Sequence, residues 1–157
     1  MSSVKAQVFS PDFVVASVIF ILILVILNVH TQGVYEKIEK QENMLYYESL
    51  VSTTDLLLLY HGYPKYWNET NVEILGLAER PNHLNRTKVE QMMNMSEERI
   101  KSLLNLGGKS FRLTIENSTG VMFEKGDTDW SDAETIYIIN RNAIMDGIPV
   151  KIKFLVW

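Results

Sequence analysis

No cysteine occurs among the 157 residues. Disulfides, thiolate catalysis and Cys-ligated metals are thereby excluded, and a domain facing an oxidising compartment must hold together on its core alone. The three histidines, His30, His61 and His83, show no ligand spacing among themselves. Cations are in the minority, 15 Lys and Arg against 19 Asp and Glu, for a formal net charge of −4. No stretch gathers enough of them to neutralise a row of phosphates, which excludes a nucleic-acid partner. The most informative absence is local. Between Asp12 and Glu36 there is no Asp, Glu, Lys or Arg.

What fills that gap is Phe13-Val-Val-Ala-Ser-Val-Ile-Phe-Ile-Leu-Ile-Leu-Val-Ile-Leu27, fifteen residues with one hydroxyl. With Asn28, Val29 and the uncharged tail to Val34 it covers the ~20 residues that a hydrocarbon slab requires of a helix. Apolar residues occupy every face, unlike an amphipathic surface helix. A lone span in lipid must satisfy its backbone internally and is therefore helical. The sequence predicts one membrane-spanning helix over residues 7–33, with lipid as its first partner. Ser10, Pro11 and Asp12 make a good helix start: a cap, a first-turn proline and an anion at the positive end of the dipole.

Lys5-Ala6-Gln7 stands directly before the apolar run. A secretory signal has its small-residue cleavage site after the apolar segment; here the order is reversed. That order, with Gln7-Val8-Phe9-Ser10 and Asp12 following, resembles the class III signal of archaeal type IV pilin-like proteins. The resemblance implies a six-residue leader (1–6), removed between Ala6 and Gln7 by a prepilin peptidase. It also implies that the helix surface, including Asp12, Phe13, Phe20 and Leu24, meets other pilin subunits. The family's acid commonly stands at the fifth mature position; here Pro11 is fifth and Asp12 sixth. Without processing, the same residues make a plain uncleaved anchor.

Flanking charge does not orient the span, because Lys37 and Lys40 outnumber Lys5 and a large domain translocates regardless. Four Asn-x-Ser/Thr sequons, at Asn68, Asn85, Asn94 and Asn117, point to an outside location and to N-glycosylation. Eleven Asn in a chain with 20 Ser and Thr would give about 1.4 by chance.

Beyond the span, residues 34–61 read as a helical spine. Val34, Ile38 and Leu45 fall near one face, and Met44, Tyr47, Val51 and Leu58 near another. Gly62 and Pro64 end it. Residues 62–157 form the head. Val72-Glu-Ile-Leu75 reads as a short strand, and Thr87-Lys-Val-Glu90 as a capping box that starts a helix. Ser96 caps a second helix running to about Leu106, with Gly107-Gly108 ending it. From Phe111 the period changes to two. Residues 111–116, 121–123, 135–140 and 148–157 then give about four mainly antiparallel strands, the last pair joined around Asp146-Gly147. The fold class is α+β, a long helix packed on a C-terminal antiparallel sheet, and this is also the pilin arrangement. Gly62-x-Pro64-x-x-Trp67, Leu75-Gly76-Leu77-Ala78, Leu84, Lys88 and Trp157 extend the resemblance along most of the chain.

Chemistry is thinly represented. Gly107-Gly108-Lys109 lacks the strand and hydroxyl of a phosphate loop. Met92-Met93-Asn94-Met95 reads as a helix face and a turn. Asp127, Asp129 and Ser131 carry the first spacings of a calcium loop, but the later glycine and glutamate are missing. They make a solvated acidic loop or a structural calcium site, and no other cofactor is expected. Tyr60, Tyr63, Tyr66 and Trp67 either present a sugar-facing surface or fix the helix top against the sheet. No residues are singled out as catalytic, so an enzyme is not expected. The expected function is a structural subunit of an archaeal surface filament or its assembly apparatus, a minor pilin rather than the bulk one. The alternative is a permanent single-pass protein whose outer domain binds a glycan or an envelope protein.

Overall fold

The computed structural model describes residues 11–157, so Lys5, Ala6, Gln7 and the Ser10 cap lie outside the described residues. The first element, α1 (Pro11–Leu59), is a single helix of 49 residues with Asp12 in its first turn. The chain divides into two compact units between Leu45 and Tyr46, and α1 contributes to both.

In the first unit no described residue is buried. The hydroxyls within and just after the apolar run are satisfied by the helix itself. Ser17 Oγ donates to the Phe13 carbonyl at 2.8 Å and Thr31 Oγ1 to the Leu27 carbonyl at 2.7 Å. Such bonds to the preceding turn leave no unpaired donor for a lipid environment to punish. Among the described residues, α1 is the one helix long and apolar enough to cross a membrane. Of the two spine faces, the members up to Tyr47 (Val34, Ile38, Met44, Leu45 and Tyr47) are exposed, whereas Leu58 is buried and Val51 packs against the core.

The second unit starts where α1 acquires a stripe. Leu50, Thr54, Leu57 and Leu58 are buried, at the i, i+4, i+7, i+8 spacing that places side chains on one helical face. Against them lies a mixed sheet of, among the described residues, six strands rather than four. These are β1 (Ala78–Arg80), β2 (His83–Leu84), β3 (Phe111–Asn117), β4 (Gly120–Gly126), β5 (Tyr137–Met145) and β6 (Ile148–Val156). Their spatial order is β1-β2-β5-β6-β3-β4, with β2 parallel to β5 and the other pairs antiparallel. The four long strands overlap the four expected ones, although β4 continues to Gly126 and β5 covers Tyr137–Met145 instead of 135–140; β1 and β2 are too short to show a period. The strand expected at residues 72–75 is only a bridge between Tyr63 and Ile74. The β5–β6 hairpin turns on Asp146 and Gly147, with φ of 54° and 77°, the two positive values that a two-residue turn of matching twist requires. Pro149 sits in β6 before that strand meets β3, so its missing N–H interrupts no ladder on that side.

The helices α2 (Arg86–Asn94) and α3 (Glu97–Leu103) close the unit. The cap of α2 is Asn85, whose side chain accepts from the Lys88 N–H, and not Thr87; the helix begins one residue before the expected box. Ser96 caps α3 as expected, although that helix stops at Leu103. The end of α1 is finished by other strands of chain. The carbonyls of Leu57, Leu58 and Tyr60 accept from the N–H groups of Leu77, Asn82 and Ala78. Helix-end carbonyls that would otherwise lack partners thus become the attachment points for β1 and the turn after it.

Candidate functional site

Two features of the molecule have the form of functional surfaces. The first is the apolar stretch of α1. Phe13, Phe20 and Leu24 lie at i, i+7 and i+11, hence on one face of the helix, and each is about half exposed or more, at 59, 61 and 49%. Asp12 is exposed beside them.

The second is built where the chain leaves α1. Gly62 adopts a φ of 76°, open to glycine at no steric cost, and turns the backbone so that Trp67 folds back underneath. The Trp67 indole is buried, and its N–H donates to the carbonyls of His61 and Gly76, both at 3.0 Å. Lys88 reaches the same place from α2. It lies on that helix's buried side with Val89 and Met92, retains 9% of its exposure, and donates its ammonium to the His61 carbonyl. The ammonium also stands 5.9 Å from the Trp67 ring centre. Gly62, Trp67, Gly76 and Lys88, scattered over 27 positions, therefore form one knot.

A cavity of about 350 Å³ opens beside this knot, lined by His61, Lys65, Tyr66, Glu79, Asn85 and Lys88. Burial, reinforced by the neighbouring Lys65 charge, holds the Lys88 ammonium below its ordinary value. Among the described residues no carboxylate lies within ion-pairing reach of Lys88. The aromatic group read from the sequence divides here: Trp67 is the strut, whereas Tyr60, Tyr63 and Tyr66 are exposed, Tyr66 at 84%. In the sequence Lys88 stands in the resemblance pattern with Gly62, Trp67 and Gly76, but its role depends on where residues 61–67 return.

A larger hollow, about 630 Å³, adjoins the start of α2 and contains Arg80, His83 and Arg86. The Arg86 guanidinium is committed to Asp146 at 2.7 Å and Glu90 at 3.1 Å. Two ion pairs that the sequence did not suggest, this Arg86–Asp146 contact and Arg141–Asp55 at 3.0 Å, join elements distant in the chain.

The acidic loop uses its carboxylates on itself. Asp127 accepts from the Asp129 N–H and Asp129 from the Ser131 N–H, at 3.1 and 3.0 Å. The Ser131 backbone and hydroxyl hold the Asp129 carboxyl below its usual range. Among the described residues no group of three or more His, Cys, Asp or Glu side chains is arranged to hold a metal ion. The sequons fall in two kinds. Asn68 and Asn117, the latter the last residue of β3, each stand just before a turn and accept from the backbone and hydroxyl of Thr70 and Thr119. Asn85 caps α2 and Asn94 ends it.

Compared with protein-family models, with curated proteins and with solved structures, the chain matches none of them.

Proposed function

We propose that this chain is a type IV pilin-like subunit, a structural component of an archaeal cell-surface filament or of its assembly apparatus, and not an enzyme. The observation that carries the reading is α1 itself. One uninterrupted helix begins as an apolar surface with no buried residue and ends as a core element of a folded head. At ~0.8 kcal/mol per methylene, leaving residues 13–27 in water costs tens of kcal/mol, so lipid or sister helices must cover them. A filament exchanges the first cover for the second. The leader at Lys5-Ala6-Gln7 and the face containing Phe13, Phe20 and Leu24 serve that exchange, with a prepilin peptidase and other pilin subunits as partners. The head faces outward, and Asn68, Asn94 and Asn117 are its glycan acceptors; Asn85 instead caps α2 and lines the Lys88 cavity.

Mass spectrometry of the chain purified from membranes tests the reading: a mature amino terminus at Gln7 is expected, together with labelled filaments in electron micrographs of the cells. Recovery of the chain in a detergent-free soluble fraction, or protection of the head from protease added to intact cells, would overturn it. An intact amino terminus without filaments favours the second reading, a permanent single-pass protein that binds a glycan. The exposed Tyr66 at the Lys88 cavity supports that alternative.

A further inference from the structure

The cavity beside Lys88 holds more positive charge than the fold needs. An ammonium has three donors, and here one carbonyl and one ring face are its partners. Burying a charge without a counter-charge is unfavourable, and a second ammonium on the same wall makes it more so. Lys65 is that second ammonium; it is exposed and lies 5.5 Å from the centre of the Tyr66 ring. Opposite charge is present only as Glu79, beyond ion-pairing distance of either lysine. If Lys88 were only a strut under His61, an uncharged donor would serve without the penalty.

The remaining walls are those of a sugar site. Tyr66 offers a nearly bare ring at the rim, suited to the apolar face of a pyranose. The Glu79 carboxylate accepts from hydroxyls. The side-chain oxygen of Asn85 is taken by the Lys88 N–H, so its amide N–H groups remain as donors toward the cavity. The volume of about 350 Å³ falls at the small end of ligand pockets and suits one or two sugar rings.

We propose that this cavity binds a uronate, a sugar bearing a ring carboxylate, with the carboxylate between Lys88 and Lys65 and the ring against Tyr66. The ligand then supplies the missing counter-charge. The site belongs to the head alone and does not rest on the filament reading.

Isothermal titration calorimetry of the full chain in detergent micelles tests this, with glucuronate, trigalacturonate, glucose and acetate as probes. Glucuronate is expected to bind about tenfold or more tightly than glucose or acetate. Lys65→Ala and Lys88→Met are each expected to weaken it about tenfold, as loss of one partner of a charged contact does. Tyr66→Ala is expected to weaken both uronates and leave acetate unchanged. Tighter binding of trigalacturonate assigns the site to a glycan chain, and equal binding to a free acid. If Lys88→Met fails to fold, the surface variants Lys65→Ala and Tyr66→Ala decide. Absence of uronate binding, equal binding of glucose or acetate, or indifference to both surface variants overturns the proposal.

Discussion

At Gly76 a methyl group has nowhere to go. A Cβ built there meets the backbone of Gly62 and the Tyr60 carbonyl, atoms that cannot swing aside as a flexible side chain would. Gly76→Ala must therefore push apart the two segments that Trp67 ties together. Overpacking of this kind costs about 1–3 kcal/mol. A melting temperature lower by roughly 5–15 °C is the expected result. Gly108, with open space around it and no positive φ, is the control; Gly108→Ala should leave the melting curve in place. Lys88 makes a different kind of residue-level prediction. Unfolded, it titrates near its ordinary value of 10.5; in the fold, burial first and Lys65 second hold it lower. Between those two values the unfolded chain binds a proton that the folded chain does not. The site's contribution to stability is thus fully present above 10.5 and is lost as pH falls through the folded value. Of the charged groups lining the cavity, Lys65 is the one that acts in this sense. The unfolding free energy of the wild type, measured against Lys88→Met from neutral pH to pH 10.5, should improve as pH rises. A difference that stays flat would show that Lys88 is not held below its ordinary value.

Between elements, apolar contact outweighs charge. Leu57 is 3% exposed in the stripe of α1 that meets the sheet, and Leu57→Ala should cost 2–5 kcal/mol in urea unfolding at the order of magnitude typical of buried leucines. The Asp55–Arg141 pair bridges helix and sheet at 3.0 Å, but both side chains keep much of their exposure, at 45 and 31%. Asp55→Asn should cost no more than about 1 kcal/mol. The reverse ranking would mean that the helix is held by its ion pair. Elements were legible in the sequence wherever they were long enough to repeat. The apolar run, the four long strands and the Ser96 cap each announced themselves through period or capping chemistry. β1 and β2 did not, since strands of three and two residues contain no alternation, and they exist because helix-end carbonyls and β5 hold them. Thr87 misled because two capping signals overlap and the earlier one, Asn85, reaches the Lys88 N–H first in the chain. The Lys88 cavity was hidden for a related reason: its walls come from residues 61–66, Glu79 and the start of α2, which only the fold brings together. By contrast, the apolar run that contains Phe13, Phe20 and Leu24 was readable as helix from its composition alone.

For the whole molecule, the apolar part of α1 has two possible environments, and one substitution separates them. In a bilayer, a lysine at the centre of a span costs about 2.5–3.5 kcal/mol, because its long stem lets the ammonium reach toward the headgroups. The apolar burial of residues 13–27 amounts to tens of kcal/mol, so Leu24→Lys should leave the chain inserted. In a filament core the same ammonium is enclosed by neighbouring helices, with no headgroup to reach and no carboxylate between Asp12 and Glu36 to pair with. An unpaired buried charge then costs several kcal/mol at every subunit of the repeat. Each 1.4 kcal/mol is a factor of ten in association. Leu24→Lys is therefore expected to stay in the detergent-dependent membrane fraction while filament number falls to about a tenth or less. Fractionation and counting of labelled filaments, in cells that assemble the unmodified chain, read the two quantities separately. Undiminished filaments would mean that this face of the helix is not enclosed by its sisters, and the helix would then be an anchor and nothing more.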